Sequence, residues 1–418
     1  MTDVTAEKNW AGNHTYRSRI ERVRSVEHLQ ELVAAAPRVR ALGSRHSFTD
    51  LTDITDVDDG VLVSLTDLPT TVEVDPATRT ARVTGRAAYG DVATQLHAAG
   101  WALGNLASLP HISVAGAVAT GTHGSGVDNG SLATAVASID IVGPDGEVRT
   151  VSRGDADHPG SIVSLGALGV VTALTLDVEP TYDVRQDVYT GLGWESLAEN
   201  IEEVTRSAYS VSLFTRWTDA GIEQVWRKSR VDEAPLDLHG ALPAARTLHM
   251  LEGAPTESVT EQGGVFGPWL HRLPHFRMEF TPSRGAELQS EYLLPRAEAL
   301  AVVERLRALG PRMTQVLQVC ELRTVAADEH WLSSSYGHDV LGVHFTWVRD
   351  EERVHAVLPA LEEALLPLGA RPHWGKCFVA GSDAIAPLYP RIGDFRALRD
   401  RVDPERVFGN AWLDRVIG

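Results

Sequence analysis

Residues 104–130 read GNLASLPHISVAGAVATGTHGSGVDNG, and this stretch says most about the fold. Glycine, serine, threonine and alanine dominate it, with little hydrophobic periodicity. A backbone with few side chains can approach a ligand closely and present several N–H groups to a phosphate or pyrophosphate. Tight turns in a β-rich domain explain the stretch taken alone equally well, since loops rich in glycine and serine are common.

The segments before and after this stretch alternate strand and helix patterns. Ser25 is a suitable N-cap for a helix whose apolar face includes Leu29 and Val33. A short strand over residues 39–42 leads into a second loop of small residues, Gly43-Ser44-Arg45-His46-Ser47. Turn residues at 75–78 and 144–146 predict two hairpins.

The C-terminal half contains longer strand patterns with helices between them. Strands are predicted over residues 210–217, 275–280, 316–323 and 343–347, and a clear helix begins at Pro295. This order predicts an α+β region in which helices cover one side of a single sheet.

Composition and charge exclude several classes of protein. The chain has 418 residues, 43% hydrophobic and 22% charged, which indicates a globular protein of two or three domains. The net charge of −18 argues against partners with phosphate backbones or anionic lipid surfaces. Its two cysteines, Cys320 and Cys377, exclude a disulfide framework and a four-cysteine zinc site.

Standard motifs and targeting signals are not found in the sequence. It lacks a Walker A sequence, HExxH and GxSxG, and the glycines at 124, 126 and 130 have the wrong spacing for a Rossmann fingerprint. The N-terminal residues show no secretory signal, and the longest apolar stretch, 164–176, is too short and too polar for a membrane span. We therefore expect a cytoplasmic protein.

His46 is one candidate for chemistry. It follows a predicted strand in a loop of small residues, and imidazole is a nucleophile that can carry a covalent link. A single histidine is more often structural than catalytic, so this residue alone does not define a site.

A second group of candidates lies on the predicted C-terminal strands. Glu321 and Arg323 share one face of a strand, His344 and Thr346 share one face of another, and Lys376 follows near the end of the domain. A solvated ion pair would explain Glu321 and Arg323, but the apolar residues around them predict a buried strand. Carboxylate, imidazole, hydroxyl and cationic groups together suit a polyol or sugar, because cations stabilise the alkoxide that forms as a carbinol is oxidised.

Several motifs resemble those of the vanillyl-alcohol-oxidase-like (PCMH-type) covalent flavoproteins. The loop at 43–48 is similar to the first FAD loop of that family, and the segments 107–116 and 119–126 are similar to its pyrophosphate and isoalloxazine loops. The segments 291–296, 373–376 and 403–410 resemble motifs of the sugar-oxidising branch, which contains the aldonolactone and alditol oxidases. The resemblance covers nearly the whole chain.

The resemblance implies a two-domain fold and a role for each matching residue. An FAD-binding domain would comprise residues 1–180 and the C-terminal return 373–418, and a substrate domain of antiparallel sheet covered by helices would comprise 181–372. His46 would be the covalent attachment point of FAD. The implied FAD contacts are Gly43, Ser44, Arg45, His46, Ser47, Ser108, Ser113, Gly116, Thr120, Gly121, Thr122, His123, Val170 and His373. The implied substrate contacts are Ser108, Glu321, Arg323, Thr346 and Lys376, with Arg323, Lys376 and His344 as catalytic residues.

The implied reaction is oxidation of the terminal (C1) hydroxyl of a linear polyol, such as xylitol or sorbitol, to the aldose. Dioxygen would be reduced to hydrogen peroxide. His344 and Lys376 both qualify as acceptor of the hydroxyl proton. The alternatives are an aldonolactone oxidase or dehydrogenase of the same family and a polyol-binding protein without flavin. We expect a monomer that requires no metal and binds neither nucleic acid nor membrane.

Arg45 departs from the family pattern, which has glycine at this position. An arginine there costs free energy if its φ angle is positive, and it brings a charge near the flavin loop. The sequence has no cysteine near the glycine-rich stretch 104–130, so a second, thioether link to the flavin is not expected. Cys377 is expected to be a packed core thiol.

Overall fold

The computed structural model describes residues 7–231, 236–280 and 287–418. Three sheets account for most of the described strands: one parallel sheet of three strands, one antiparallel sheet of five and one antiparallel sheet of nine. Helices and sheets form separate layers, so the predicted α+β class is confirmed.

The N-terminal segment forms the parallel sheet, covered by one helix. Its strands in spatial order are β1 (Arg19–Arg22), β3 (Val61–Ser64) and β2 (Val39–Ala41). Helix α1 (Val26–Ala35) begins after the predicted N-cap Ser25, whose side chain accepts a hydrogen bond from the backbone N of His28. Leu29 and Val33 are buried, as the apolar pattern predicts.

The five-stranded sheet and the elements around it contain the glycine-rich stretch. Its strands in spatial order are β4 (Val72–Asp75), β5 (Thr80–Thr84), β9 (Val170–Asp177), β7 (Val136–Val142) and β8 (Val148–Ser152). Nearby elements are α2 (Tyr89–Ala98), β6 (Trp101–Ala102), α3 (Val114–Ala119), α4 (His158–Ile162) and β10 (Glu179–Pro180). Both predicted hairpins are confirmed as β4–β5 and β7–β8. The glycine-rich stretch contains the short helix α3 between two loops.

The C-terminal half is built on the nine-stranded antiparallel sheet. Its strands in spatial order are β14 (Leu242–Pro243), β11 (Asp183–Leu192), β13 (Ile222–Ser229), β12 (Ser210–Thr215), β17 (Leu317–Val325), β18 (Val340–Val348), β16 (Glu287–Pro295) and β19 (Arg371–Pro372), with β15 (Gly267–Pro268) beside β11. Three helices, α5 (Trp194–Arg206), α6 (Ala299–Met313) and α7 (Glu351–Leu365), contribute to the same hydrophobic core as Leu213, Leu322 and Phe345. The predicted sheet covered by helices is confirmed.

The predicted strand at 275–280 is wrong. Phe276 makes one isolated bridge to Val259, and the rest of the segment is turn or irregular backbone. The backbone N–H groups of His275 and Phe276 both point to Ser108 O, at 3.0 and 3.2 Å. Because these donors bond to a loop of the glycine-rich stretch, they cannot pair with a neighbouring strand.

The end of the chain returns to the N-terminal region. It carries α8 (Ser382–Ile385), α9 (Ile392–Val402) and α10 (Ala411–Val416). Trp374, Phe395 and Trp412 belong to the same hydrophobic core as Val114 and Leu174. The boundaries expected after residues 180 and 372 stay predictions.

Arg40 links three parts of this N-terminal region. Its guanidinium is 1% exposed and donates to the carbonyl oxygens of Leu51, Leu165, Gly166 and Phe408 at 2.7 to 2.9 Å. A buried carbonyl left without a partner costs about 1–3 kcal/mol, so these hydrogen bonds stabilise the junction. Among the described helices, none combines the length and apolar character that a membrane span requires.

Candidate active site

One face of the nine-stranded sheet is polar at its centre. In a single rung across four strands, Phe214 pairs with Glu321, Glu321 with His344, and His344 with Glu291. Paired residues in neighbouring strands point to the same side of a sheet, so the two carboxylates and the imidazole share one surface. Cys320, Leu322, Val343, Phe345 and Trp347 alternate with this set and belong to the helix-covered core.

Glu291 is the centre of the polar cluster. Its carboxylate is 1% exposed and accepts hydrogen bonds from Lys376 Nζ (2.5 Å, Oε2) and Arg323 Nη2 (2.6 Å, Oε1). Nε2 of His123 lies 3.2 Å from Oε1. Burial alone would raise the pKa of Glu291, but the charges of Lys376 and Arg323 hold it well below its usual range. The residue is therefore a carboxylate with a cation on each oxygen.

His344 and Lys376 form a contact pair beside Glu291. Nζ of Lys376 lies 2.5 Å from Nδ1 of His344, and Nε2 of His344 lies 3.3 Å from Oγ1 of Thr346. Burial and the charge of Lys376 lower the pKa of His344 to about 4, so the ring is neutral near pH 7. Burial also lowers the pKa of Lys376, although Glu291 favours its charged form.

Glu321 and Arg323 are buried rather than solvated. Their side chains are 7% and 6% exposed, and Nε of Arg323 lies 3.7 Å from Oε1 of Glu321. Burial opposes ionisation of Glu321, but Arg323 and His275 outweigh it and hold its pKa well below the usual range. Arg323 Nη1 also donates to Oγ of Ser108 at 3.4 Å, which joins the sheet to the glycine-rich stretch. The interpretation as a surface ion pair is therefore wrong.

His123 and His373 join the cluster from outside the nine-stranded sheet. Their ring centroids are 6.2 Å apart, and both rings are buried. Burial and then the charge of Lys376 hold the pKa of His373 well below its usual value, and its Nδ1 accepts a hydrogen bond from Gly375 N at 3.1 Å. A Cβ added to Gly342 would lie 3.4 Å from the ring of His123, so glycine allows this ring to approach the sheet closely.

The loop at 43–47 meets the glycine-rich stretch at Ser113. A Cβ on Gly43 would lie 2.9 Å from Oγ of Ser113, so the glycine at position 43 allows the two segments to approach closely. Oγ of Ser44 accepts from Ser113 N at 3.0 Å and lies 3.1 Å from Nδ1 of His46. These contacts place His46 at the meeting point of the two predicted cofactor loops.

His46 is a half-buried, neutral imidazole. Burial and the neighbouring His111 lower the pKa of His46 to about 4, so its ring keeps a free lone pair near pH 7. The ring of Trp10 stacks against it, with centroids 5.6 Å apart and 26° between the planes. Arg45, the preceding residue, has a φ angle of 61°, which is the strained backbone that its departure from glycine was expected to produce.

One cavity of about 720 Å³ contains both groups of residues. This volume lies within the range of roughly 300–1,000 Å³ for small-molecule sites. All the predicted substrate and catalytic residues line it: Ser108, Glu321, Arg323, His344, Thr346 and Lys376. The predicted cofactor residues that line it are Gly43, Ser44, Arg45, His46, Ser47, Ser108, Ser113, Gly116, Thr120, Thr122, His123 and His373. Gly121 and Val170 do not line it, and Val170 is buried in another hydrophobic core.

Two site residues were missed in the sequence. In the sequence Glu291 is only the first residue of the motif 291–296, although a charged residue at the start of the apolar run Glu291-Tyr-Leu-Leu is a usable signal. His275 was assigned to a strand that does not form. Its Nε2 lies 2.8 Å from Oε1 of Glu321, a contact that no sequence pattern could have indicated because 46 residues separate the two.

Two family models and several known proteins match this chain. Residues 18–152 match the FAD binding domain family, and residues 281–416 match the D-arabinono-1,4-lactone oxidase family. Cholesterol oxidase from B. sterolicum has the same fold with a TM-score of 0.76, at 15% identity, over 99% of this chain and 96% of that one. The fold and the cavity therefore define a PCMH-type FAD-binding protein, which confirms the predicted fold class.

Two curated relatives specify the family further. Alditol oxidase of Streptomyces sp. strain IKD472 is 49% identical over 98% of both chains. L-gulono-1,4-lactone dehydrogenase of Mycobacterium tuberculosis is 31% identical, also over 98% of both chains. The chain belongs to the PCMH-type FAD flavoprotein family that includes these two enzymes, so the predicted family is confirmed.

We expect the free energy of unfolding to fall as the pH is lowered from about 6.5 towards 4. His275 and His344 have folded pKa values of about 4, against about 6.5 in an unfolded chain. The unfolded state binds more protons in this window, so stability decreases by up to about 1.4 kcal/mol per pH unit for each ring. Urea unfolding at several pH values measures this slope.

Matched variants identify the histidines responsible. His275→Gln removes one contribution, so its slope between pH 6.5 and 4 should be shallower than that of the wild type. Gln95→Ala, which replaces an exposed residue that does not titrate, should leave the slope unchanged. Equal slopes in the wild type and His275→Gln would contradict the assignment.

Proposed function

We propose that the protein is an FAD-dependent oxidase that converts the terminal hydroxyl of linear polyols, such as xylitol and sorbitol, to the aldose, with dioxygen reduced to hydrogen peroxide. One observation carries this proposal: Glu321, Arg323 and Lys376 line the same cavity as the loop of His46. Identity of 49% to an alditol oxidase supports the substrate class.

The residues along the cavity fit FAD. The backbone at Gly43 and at Gly116 lies close to Oγ of Ser113, and all three residues line the cavity, which suits a pyrophosphate in a protein of net charge −18. When bound, FAD supplies the hydride acceptor and transfers the electrons to dioxygen. The chain's own residues bind the substrate, orient its carbinol and hold its proton.

His46 is the proposed covalent attachment point. Its ring is neutral near pH 7, is held by Ser44 and Trp10, and lines the cavity, which are the conditions that a nucleophilic imidazole needs. Ser44 and Ser113 fix the loop on the cavity side, so the ring cannot turn away without breaking these contacts.

Hydroxyl recognition falls to groups with spare hydrogen-bonding capacity. Glu321 accepts hydrogen bonds, and Arg323, Lys376 and Thr346 donate them. The carbinol to be oxidised lies best near Lys376 and Arg323, because a cation stabilises the alkoxide character that develops as the C–H bond breaks.

The Lys376–His344 pair is the proposed holder of the hydroxyl proton. Nζ of Lys376 contacts Nδ1 of His344 at 2.5 Å, so Lys376 can pass a proton to Nδ1 while it takes one from the substrate. After this transfer both Lys376 and His344 carry a positive charge. Oε2 of Glu291 lies 2.5 Å from Nζ and 3.6 Å from Nδ1, so its negative charge stabilises the doubly protonated pair.

A second candidate function is oxidation of an aldonolactone. The match of residues 281–416 to the D-arabinono-1,4-lactone oxidase family favours it, as does the identity of 31% to a lactone dehydrogenase. A monomeric state and a cytoplasmic location stay predictions, which size-exclusion chromatography and cell fractionation would test.

A substrate panel separates the two functions. We expect xylitol and sorbitol to give hydrogen peroxide and the aldose, with a higher kcat/KM than L-gulono-1,4-lactone or D-arabinono-1,4-lactone. The measurement is peroxide formation together with oxygen uptake at matched substrate concentrations. A higher kcat/KM for a lactone would favour the alternative, and turnover with an artificial dye but not with oxygen would show a dehydrogenase.

Flavin retention tests the role of His46. After denaturation and gel filtration, the yellow flavin absorbance should remain with the polypeptide, because a covalent bond survives unfolding. The His46→Ala variant should release all its flavin under the same conditions. The control His28→Ala, at an exposed position, should retain it. Complete release of flavin from the wild type would disprove the covalent link.

Substitution of the two cations tests the substrate site. Lys376→Ala and Arg323→Ala should each lower turnover by about 10²–10⁴-fold, because the developing alkoxide loses a charge partner. Flavin content and absorbance should stay as in the wild type. Lys8→Ala removes an exposed lysine and should leave turnover unchanged. Near-normal turnover in Lys376→Ala or Arg323→Ala would place the reacting carbon elsewhere.

A further inference from the structure

A lysine ammonium is buried behind the substrate site. Nζ of Lys228, on β13, lies 2.5 Å from Leu273 O, 3.1 Å from Pro274 O and 3.0 Å from Nδ1 of His275. A charged lysine has three N–H donors, so these three acceptors use all of them. Lys228 is 1% exposed and is not among the residues that line the cavity, so it acts on the substrate only through other groups.

The charge of Lys228 fixes the tautomer of His275. Because Lys228 donates to Nδ1, the neutral ring must carry its proton on Nε2. Nε2 lies 2.8 Å from Oε1 of Glu321, so the ring donates to that carboxylate. Burial and the charge of Lys228 lower the pKa of His275 to about 4, which keeps the ring neutral.

Without a donor to Nδ1, the hydrogen bond between His275 and Glu321 could be lost. The ring could then carry its proton on Nδ1, and the lone pair of Nε2 would face Oε1 of Glu321. Two acceptors in contact repel each other, so Glu321 would have to move or take up a proton. Either change removes Glu321 as a well-placed acceptor in the cavity.

Packing holds the ring of His275 in this orientation. The rings of Trp226 and Phe214 meet it edge-on, with centroids 5.1 and 5.7 Å away. Its backbone N donates to Ser108 O at 3.0 Å, and the hydroxyl of Ser108 accepts from Arg323. The position of the ring is therefore fixed, and only the position of its proton depends on Lys228.

The rarity of lysine in this chain supports a specific role for Lys228. Of 38 basic residues only three are lysines, Lys8, Lys228 and Lys376. Lys228 is buried behind the substrate site, and the half-buried Lys376 lies in it. A planar guanidinium has its donors in a fixed fork, whereas an ammonium directs three donors tetrahedrally. Two backbone carbonyls and a ring nitrogen around one point suit an ammonium.

We propose that Lys228 is a positioning residue that acts through His275 to hold Glu321 as the acceptor for a substrate hydroxyl. Oε2 of Glu321 accepts no hydrogen bond from any residue that the structure describes, and Glu321 lines the cavity. The proposal rests on the proposed function, since the hydroxyl belongs to the polyol. Lys228 thereby contributes to substrate recognition rather than to the transfer of electrons.

A double-mutant cycle in the flavin-loaded protein tests this inference. Lys228→Met should raise KM for xylitol roughly 10- to 100-fold, the effect of losing a hydrogen bond to a charged group. It should change kcat less than about threefold. The assay is made at about pH 6, because burial lowers the pKa of Lys228 to about 7 and the charged form prevails below it.

The His275→Gln background distinguishes an effect of Lys228 that acts through His275 from a general structural effect of the substitution. The glutamine amide can donate to Glu321 whether or not Lys228 is present. In that background Lys228→Met should raise KM less than about threefold, because the tautomer no longer matters. Equal effects in both backgrounds, or an unchanged KM in the His275 background, would overturn the proposal. Lys228→Leu, which also lacks a donor, serves if Lys228→Met does not fold, and Lys228→Gln, which keeps a donor, should leave KM close to that of the wild type.

Nitrogen-15 spectra of histidine-labelled protein test the tautomer without turnover. The signals lost in His275→Gln identify the ring, and its shifts show which nitrogen carries the proton. We expect the proton on Nε2 in the wild type and a shift towards Nδ1 in Lys228→Met. A proton on Nδ1 in the wild type would overturn the inference. Lack of polyol turnover by the wild type would instead overturn the proposed function and leave this result standing.

Discussion

The carboxylate of Glu291 is the contact on which the rest of the site depends. It bonds Arg323 from β17 and Lys376 from the C-terminal return, and it lies beside His123 from the glycine-rich stretch. Removal of one member of a buried ion pair typically costs about 3–5 kcal/mol, because the remaining charge stays buried without a partner. Glu291 therefore holds three distant parts of the chain together and fixes two cations that line the cavity.

The position of Glu291 also explains which part of the site could be predicted from the sequence. Alternation along one strand predicted that Glu321 and Arg323 share a face, and the same rule applied to His344 and Thr346. The pairing of His344 with both Glu321 and Glu291 depends on the register between strands, which alternation within one strand does not determine. The fold class and the hairpins have local patterns, so they could be predicted, whereas this rung could not.

Arg45 replaces the glycine that the family pattern has at this position, and the surrounding contacts hold its strained backbone. The positive φ angle was expected to cost free energy in a residue with a side chain, and the structure has a φ of 61° there. The guanidinium of Arg45 pairs with Glu7, and its carbonyl accepts from Trp10 N at 2.8 Å. These contacts, together with the ring of Trp10 on His46, hold the strained loop in place. Arginine at this position strains the backbone of the loop, but it also connects the loop to the N-terminal segment through Glu7 and Trp10.

The charge balance of the site differs from that of the chain. Overall the protein carries −18, whereas in the polar cluster Arg323 and Lys376, with Lys228 behind the cavity, set three cations against the two carboxylates Glu291 and Glu321. A cation beside the carbinol stabilises the alkoxide character that develops as the hydroxyl proton moves to the proposed Lys376–His344 pair. The third cation is buried at a cost, and that cost is consistent with a role in binding rather than in folding.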